Sequence, residues 1–456
     1  MNAKVSLLIY FLPILLSFFS CKNDDVDIPL QEFKLSINQD GSQLEHLWTE
    51  VNISNFQQYI LVRSSEPIPV NLDPFLSNPS NSGINEIVHQ ETAKDISRWR
   101  EIVLTDESNL FYRVFIKLDD RYIASNEVEV SLNERITFQT TYNSNIEVYH
   151  HPDLKLIYII DVDSLFAYDY QSTELVASTE LPSFFYAGLF SYGKYNGLDE
   201  LYLVPQGPDD DEIIVLDAVN LNYIETIATG YGNINALNTE REGIIVVFKN
   251  GSSTLEIFDR SSGDEIESST CPCVSTYNKR IGFVSETENM IKVFFSDGIR
   301  NGGFVNFSFS DTWEFLSKSS KYSFPSNVLP KISYSPNKDY FIPNYNGTIY
   351  KNDGTIFNSV HDTLSDKGTG YSYIFLEDES TLLSIDDHSL FPSGDDLRSI
   401  DKYSFPELDL LDSWKLPNNF NTSGGYELFY DGESMLLNYS SRSNGWPQVM
   451  IVPLNL

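Results

Sequence analysis

The chain reads as an all-β protein, a small β-sandwich followed by a seven-bladed β-propeller closed by its own N-terminal strand. Three observations lead there. Residues 28–132 hold about seven short β-like segments separated by turn chemistry, the density expected of a sandwich. Beyond residue 133 an apolar run recurs at Leu156, Leu201, Ile244, Met290, Tyr340, Leu382 and Met435, with spacings of 45, 43, 46, 50, 42 and 53 residues. That is the period of a propeller blade. The last repeat runs out one strand early, and residues 135–140 have the composition of the missing strand.

Composition bounds the function. The 456 residues carry 65 acidic against 30 basic side chains, a net charge of −35. This excludes a nucleic-acid binder that works by neutralising phosphates. Hydrophobic residues make up 41%, with 27 Tyr and 30 Phe, enough for folded cores rather than a disordered chain.

At the N-terminus, Lys4 precedes an apolar run from Val5 to Phe19. This suits a secretory signal and falls short of the ~20 residues a spanning helix needs. The run ends Ser17-Phe18-Phe19-Ser20-Cys21, which resembles a bacterial lipobox, with Phe18 where that family prefers an aliphatic residue. The resemblance implies that residues 1–20 are a lipoprotein signal and that Cys21 is lipidated. The alternative is an ordinary cleaved signal with Cys21 a plain thiol. Residues 21–27, with Asp24, Asp25 and Asp27, form an acidic tether similar to the surface-export signals of Bacteroidota lipoproteins. This implies an outer-membrane, lipid-anchored protein at the cell surface, and two or three acyl chains would hold it without a spanning helix.

In the sandwich, the segments read as 33–39, 44–51, 58–65, 85–90, 100–106, 110–118 and 122–132. Tyr112, Val114, Ile116 and Leu118 alternate, which puts them on one inward face. With Trp48 on the second strand, Tyr112 at a corner-like position and Ser125-Asn126 before the last strand, residues 28–132 resemble a fibronectin type III (immunoglobulin-like) domain. The stretch 66–83 is longer than that family's usual loop. Such a domain is commonly a spacer.

Residues 133–456 form the propeller. Its second unit shows the order of strands A to D most clearly, at 187–192, 200–204, 212–217 and 223–229, and the third repeats it at 243–248, 254–259 and 265–269. Joining 135–140 to the last unit leaves no free sheet edge. The region around Tyr340 and Thr355 departs from the repeat, so six blades plus an irregular unit stay open as an alternative.

In a propeller the B–C and D–A loops share one face. On this map the B–C loops collect Asp161, Asp163, Asp209, Asp210, Asp211, Glu212, Asp297, Asp386, Asp387, Asp395 and Asp396 against Lys249, Arg300 and Arg442. The D–A loops add aromatic rings such as Tyr231, and Trp446 follows the last B–C turn. Acids beside aromatic faces suit a glycan or a cationic protein surface. The candidate ligand-binding residues are therefore Asp209, Asp210, Asp211, Asp386, Asp387, His388, Tyr231, Arg300 and Trp446. The competing reading is a solvated acidic rim.

No cofactor is implied. Calcium stays open through Asp209–Asp211, although that run lacks the spaced donors and glycine of an EF-hand loop. Cys271-Pro272-Cys273 reads as two loop thiols, because a bridge would close a very small ring. No nucleophile elbow, zinc helix, phosphate loop or dinucleotide fingerprint is present. The favoured role is a non-catalytic envelope protein that binds a protein partner or glycan. Its alternatives are a glycan hydrolase or lyase that uses inter-blade carboxylates, whose acids leave no linear signature, and a purely structural spacer.

Overall fold

The computed structural model describes residues 33–456 except 73–74, 77–84, 106, 120, 133–134, 140–146, 162, 182–188, 206–210, 231–233, 250–253, 271–278, 285–288, 297–301, 325–331, 344–346, 361–370, 377–379, 387–398, 417–425 and 444–445; a few strand residues, Asp386 and Trp446 among them, are described by backbone alone. Among the described residues the ordered elements are β-strands, apart from Phe75 and Leu76, which are helical. Among the described residues no helix is long and apolar enough to cross a membrane. The chain divides into two compact units, one made of the described residues up to Gln39, Leu44–Arg100 and Glu107–Asn133, the other of Asp40–Gln43, Glu101–Asp106 and Glu134–Leu456.

In the first unit, Gln58–Ser64 and Asn109–Lys117 pair antiparallel at the centre of a sheet flanked by Asn85–Glu91, Tyr122–Ala124 and Val128–Ser131. The segment read as 122–132 forms two strands, Tyr122–Ala124 and Val128–Ser131, parted at Ser125 and Asn126, the pair that precedes the last strand. The Ser125 hydroxyl accepts from Val114 N–H at 3.1 Å, and the Asn126 amide exchanges bonds with Leu35 N and O at 2.8 and 2.9 Å. Side-chain bonds thus replace ladder bonds, and the strand splits.

The strand Asn109–Lys117 departs from its expected single buried face. Tyr112, Val114 and Ile116 are buried, but so are Arg113 and Phe115. Ile68, Leu72, Phe75 and Leu76, from the long stretch after residue 66, cluster with Phe115, Ile60 and Val62 and cover that second face. Arg113 is satisfied there by donating to the Ile68 carbonyl at 3.1 Å.

The second unit is a succession of four-stranded antiparallel meanders. The first consists of Glu147–His151, Leu156–Asp161, Ser164–Asp169 and Leu175–Glu180, and the second of Leu189–Tyr195, Leu198–Val204, Glu212–Asp217 and Tyr223–Ala228. Ile234–Asn238, Ile244–Lys249, Thr254–Asp259 and Glu265–Thr270 make the third; Lys279–Val284, Met290–Ser296, Gly302–Phe309 and Phe315–Phe324 make the fourth. Around Tyr340 the strands are short but the pattern persists, as Ile332–Tyr334, Tyr340–Pro343, Thr348–Lys351 and Ile356–Ser359. Tyr371–Phe375, Thr381–Asp386, Ser399–Ser404 and Leu410–Lys415 follow as the sixth. In the last, Tyr426–Tyr430, Met435–Ser443 and Trp446–Leu454 are joined by Ile136–Gln139, which pairs Phe138 with Val449 and Ile136 with Ile451.

Each of the seven recurring apolar runs lies in the second strand of its meander. These strands are buried on both faces because a neighbouring sheet covers each side, and successive side chains point opposite ways. In the second meander, Leu201 and Leu203 join the cluster of Leu156, Tyr158 and Ile160, while Tyr202 and Val204 join that of Ile245 and Val247. The same relation links the later neighbours, through Val246 with Val293, Phe294 with Phe341, Ile342 with Leu382, and Leu383 with Leu437. Leu436, Val449, Ile451 and Ile136 of the last meander cluster with Ile157 and Ile159 of the first. The outer strands, such as Tyr223–Ala228, are mostly exposed.

Candidate functional site

The sequence directs attention to the B–C edge of the sheets, most of which lies outside the described residues. Cys21, Asp209, Asp210, Asp387, His388, Tyr231 and Arg300 are outside them. Asp386 ends the strand Thr381–Asp386, and Trp446 opens Trp446–Leu454 opposite Ser443; both are placed by backbone only. Asp211 is half-buried, and its carbonyl accepts from Thr229 N–H at 2.9 Å and Thr229 Oγ1–H at 2.6 Å. Asp161, expected as a loop acid, is buried at the end of its strand. Lys249, expected as a loop cation, is also buried, with Nζ 2.7 Å from Glu256 and donating to the Thr229 carbonyl. The physical reason is that both end paired strands and are buried there rather than standing in open loops.

The described residues instead build a cleft of about 420 Å3 at the opposite edge, where A strands turn into B strands. Three turns meet there. His151 ends the first A strand, with Asp153 in the turn behind it. In the second meander Asn196 and Gly197, at φ 51° and 77°, form the tight turn that sets Lys194 beside Asp199. The third turn supplies Glu240, Arg241 and Glu242 after the strand Ile234–Asn238.

Gly193 holds the second and third turns together. A Cβ at this position would lie 2.1 Å from the Thr239 carbonyl oxygen, so only glycine lets the two inner strands approach this closely. Ser191 fixes the same contact, its Oγ accepting from Thr239 N–H at 3.1 Å and lying 2.8 Å from Thr239 Oγ1. Glu240 and Glu242 are thereby placed across from His151 and Lys194.

The cleft is acidic, with Asp153, Asp199, Glu240 and Glu242 against Lys194 and Arg241. Lys194 is engaged by Asp153 at 3.1 Å and Asp199 at 3.8 Å, and the bond to Asp153 raises its pKa. The Arg241 guanidinium lies 4.5 Å from the centre of the Trp313 ring. Glu240 and Glu242 are exposed and have no ion pair among the described residues. Tyr192 forms one wall, its ring centre 4.4 Å from that of His151 in a tilted arrangement, and burial, then Glu240 and Asp153, push its phenol pKa up.

His151 is 1% exposed. Its Nδ1 accepts from Leu154 N–H at 3.4 Å, so in the neutral ring the proton is on Nε2. Burial lowers its pKa and favours that neutral form. Nε2 has no hydrogen-bond partner among the described residues. Among those residues no group of three or more His, Cys, Asp or Glu side chains is placed to hold a metal ion.

Sequence reasoning missed this cleft. The turn-forming Asn196-Gly197 pair and the acids of Glu240-Arg241-Glu242-Gly243 were its linear traces.

No protein-family model matches the chain, and no curated protein matches it. Solved structures similar to it include the RRP9 WD40 repeats, with a TM-score of 0.48, and U3-55K, with a TM-score of 0.47, each 10% identical. Each alignment covers 70% of this chain and 98% of the other.

Proposed function

We propose that this is a lipid-anchored protein of the bacterial cell envelope, held at the outer membrane through Cys21, whose repeat unit is a non-catalytic binding ring for a protein partner or glycan. The seven meanders are its blades, and Ile136–Gln139 closes it by serving as the outer strand of the last blade. Two observations support the ring. Consecutive meanders share apolar clusters, and the last shares one with the first. The first 27 residues and their resemblance to a lipobox and export tether support the anchor. Residues 28–132, the fibronectin type III-like part, lie between anchor and ring along the chain.

The observation that carries the binding role is the open cleft between three A–B turns, with exposed carboxylates on one side and aromatic rings on another. A wall of this kind offers stacking and charge to a ligand. The test is crosslinking of intact cells that carry the tagged full chain, followed by mapping of the crosslinked peptides. Crosslinks to an envelope partner that fall within 134–456 are expected. Their absence, or their confinement to 28–132, overturns the reading.

A further inference from the structure

We propose that the inner strand Glu147–His151 of the first meander is an acid-released element: protonation of its adjacent imidazoles, His150 and His151, detaches it from Leu156–Asp161 and loosens the junctions with the last and second meanders together. This goes beyond the binding role proposed above and does not depend on it.

Strand geometry puts the two rings at different junctions, because successive side chains point opposite ways. His150 packs between Tyr170 and Phe429, where the last meander meets the first, and His151 packs against Tyr192 of the second. Nε2 of each ring is buried and has no hydrogen-bond partner among the described residues. A cation on either ring would therefore be buried with no acceptor at Nε2, which is costly. In His151 the added proton would also go to Nδ1 and end its bond from Leu154 N–H.

The acids nearby are already engaged. Asp431 faces His150 from the last meander, but it holds Lys155 Nζ at 2.8 Å and accepts from the Tyr170 hydroxyl, while Glu433 lies 3.7 Å from the same lysine. Around His151, Asp153 and Asp199 lie 3.1 and 3.8 Å from Lys194, and Glu240 and Glu242 stand in the cleft exposed to solvent. Burial outweighs these charges and keeps both rings neutral. The strand itself is lightly held. It is the edge of its sheet, paired with Leu156–Asp161 alone, and four of its five residues are only partly buried. Elsewhere the buried cations have acceptors, Arg260 at Glu200 and Lys292 at Asn352. Among the described residues of 134–456, His150 and His151 are the only histidines, so acid acts on this strand first.

The released strand binds protons below about pH 6.5 that the seated strand refuses, so release rises as pH falls. From pH 7.5 to 5.0 His150 alone raises the opening equilibrium about 30-fold, and His151 adds to that. Hydrogen exchange of the detergent-solubilised full chain, read by mass spectrometry at both pH values as protection relative to the free-peptide rate, measures it. Protection in Glu147–His151 is expected to fall about 30-fold or more, while that in Ile234–Asn238, the histidine-free inner strand of the third meander, changes less than about threefold. The double variant His150→Phe/His151→Phe keeps an aromatic ring at each junction and is expected to hold the protection of 147–151 level between the two pH values. No fall in Glu147–His151, an equal fall in Ile234–Asn238, or a double variant that still loses protection overturns the proposal. The comparison of the two strands needs only the native protein, so it decides even where the double variant does not fold.

Discussion

His150, next to the cleft residue but on the other face of its strand, makes a pH dependence that follows from the fold. Its ring is packed between Tyr170 at 5.7 Å and Phe429 at 5.5 Å, where the first and last meanders meet. Its Nε2 has no hydrogen-bond partner among the described residues. Burial pushes the pKa from 6.5 down to about 4, Asp431 opposes the shift, and His151 and Lys155 add to it. Between these two values the unfolded chain binds the proton and the folded chain does not. Stability from this residue is therefore complete above about pH 6.5 and is lost as pH falls toward 4. At about 1.4 kcal/mol per pH unit the full loss is at most about 3.5 kcal/mol. Urea unfolding of the native protein and of His150→Phe, from pH 7.5 down to 4.5 at constant ionic strength, isolates it. The stability of the variant relative to the native protein should rise steadily as pH falls below 6.5. A difference that stays constant across the range refutes the buried, neutral imidazole.

Other substitutions probe neighbouring features. Gly193→Ala forces a Cβ against the Thr239 carbonyl, and a loss of about 1–3 kcal/mol is expected in thermal or urea melts. Arg260 is buried at the junction of the second and third meanders, bidentate to Glu200 at 2.8 Å and bonded to Glu225 at 2.6 Å. Arg260→Leu leaves the buried Glu200 uncompensated and should cost about 3–5 kcal/mol, part of which Arg260→Leu/Glu200→Leu recovers. Cys21→Ala should move the protein from the membrane to the soluble fraction on cell fractionation; retention in the membrane would contradict the anchor.

The repeat was legible because its signal is burial itself. Second strands covered on both faces are apolar at most positions, so Leu201–Val204 and Ile244–Val247 stand out from the exposed outer strands. Glu212–Asp217 and Thr254–Asp259 end where that pattern ends, at turn-forming aspartates whose carboxylates accept from backbone N–H groups two and three residues on. The segment around Tyr340 looked irregular because its strands have only three or four residues. Charge was a poorer guide to the site. Lys249 and Asp161 read as loop charges and are buried, since a strand end beside another sheet looks the same in sequence as a loop. The cleft left only faint linear traces, the Asn196-Gly197 turn and the acids of Glu240-Arg241-Glu242-Gly243. It needs His151, Gly193 and Glu240 brought together from three meanders, through the His151–Tyr192 and Gly193–Thr239 contacts.

Carboxylate footprinting shows whether the cleft is occupied in the envelope. Glycine ethyl ester coupling is run on the purified full chain and on intact cells, with labelling read at Glu240 and Glu242 against exposed acids on outer strands such as Glu225 and Glu265. The account predicts that all four acids label in the purified protein and that Glu240 and Glu242 alone are protected in the envelope. Equal labelling of Glu240 and Glu242 in both states would contradict a ring that binds its partner at this cleft.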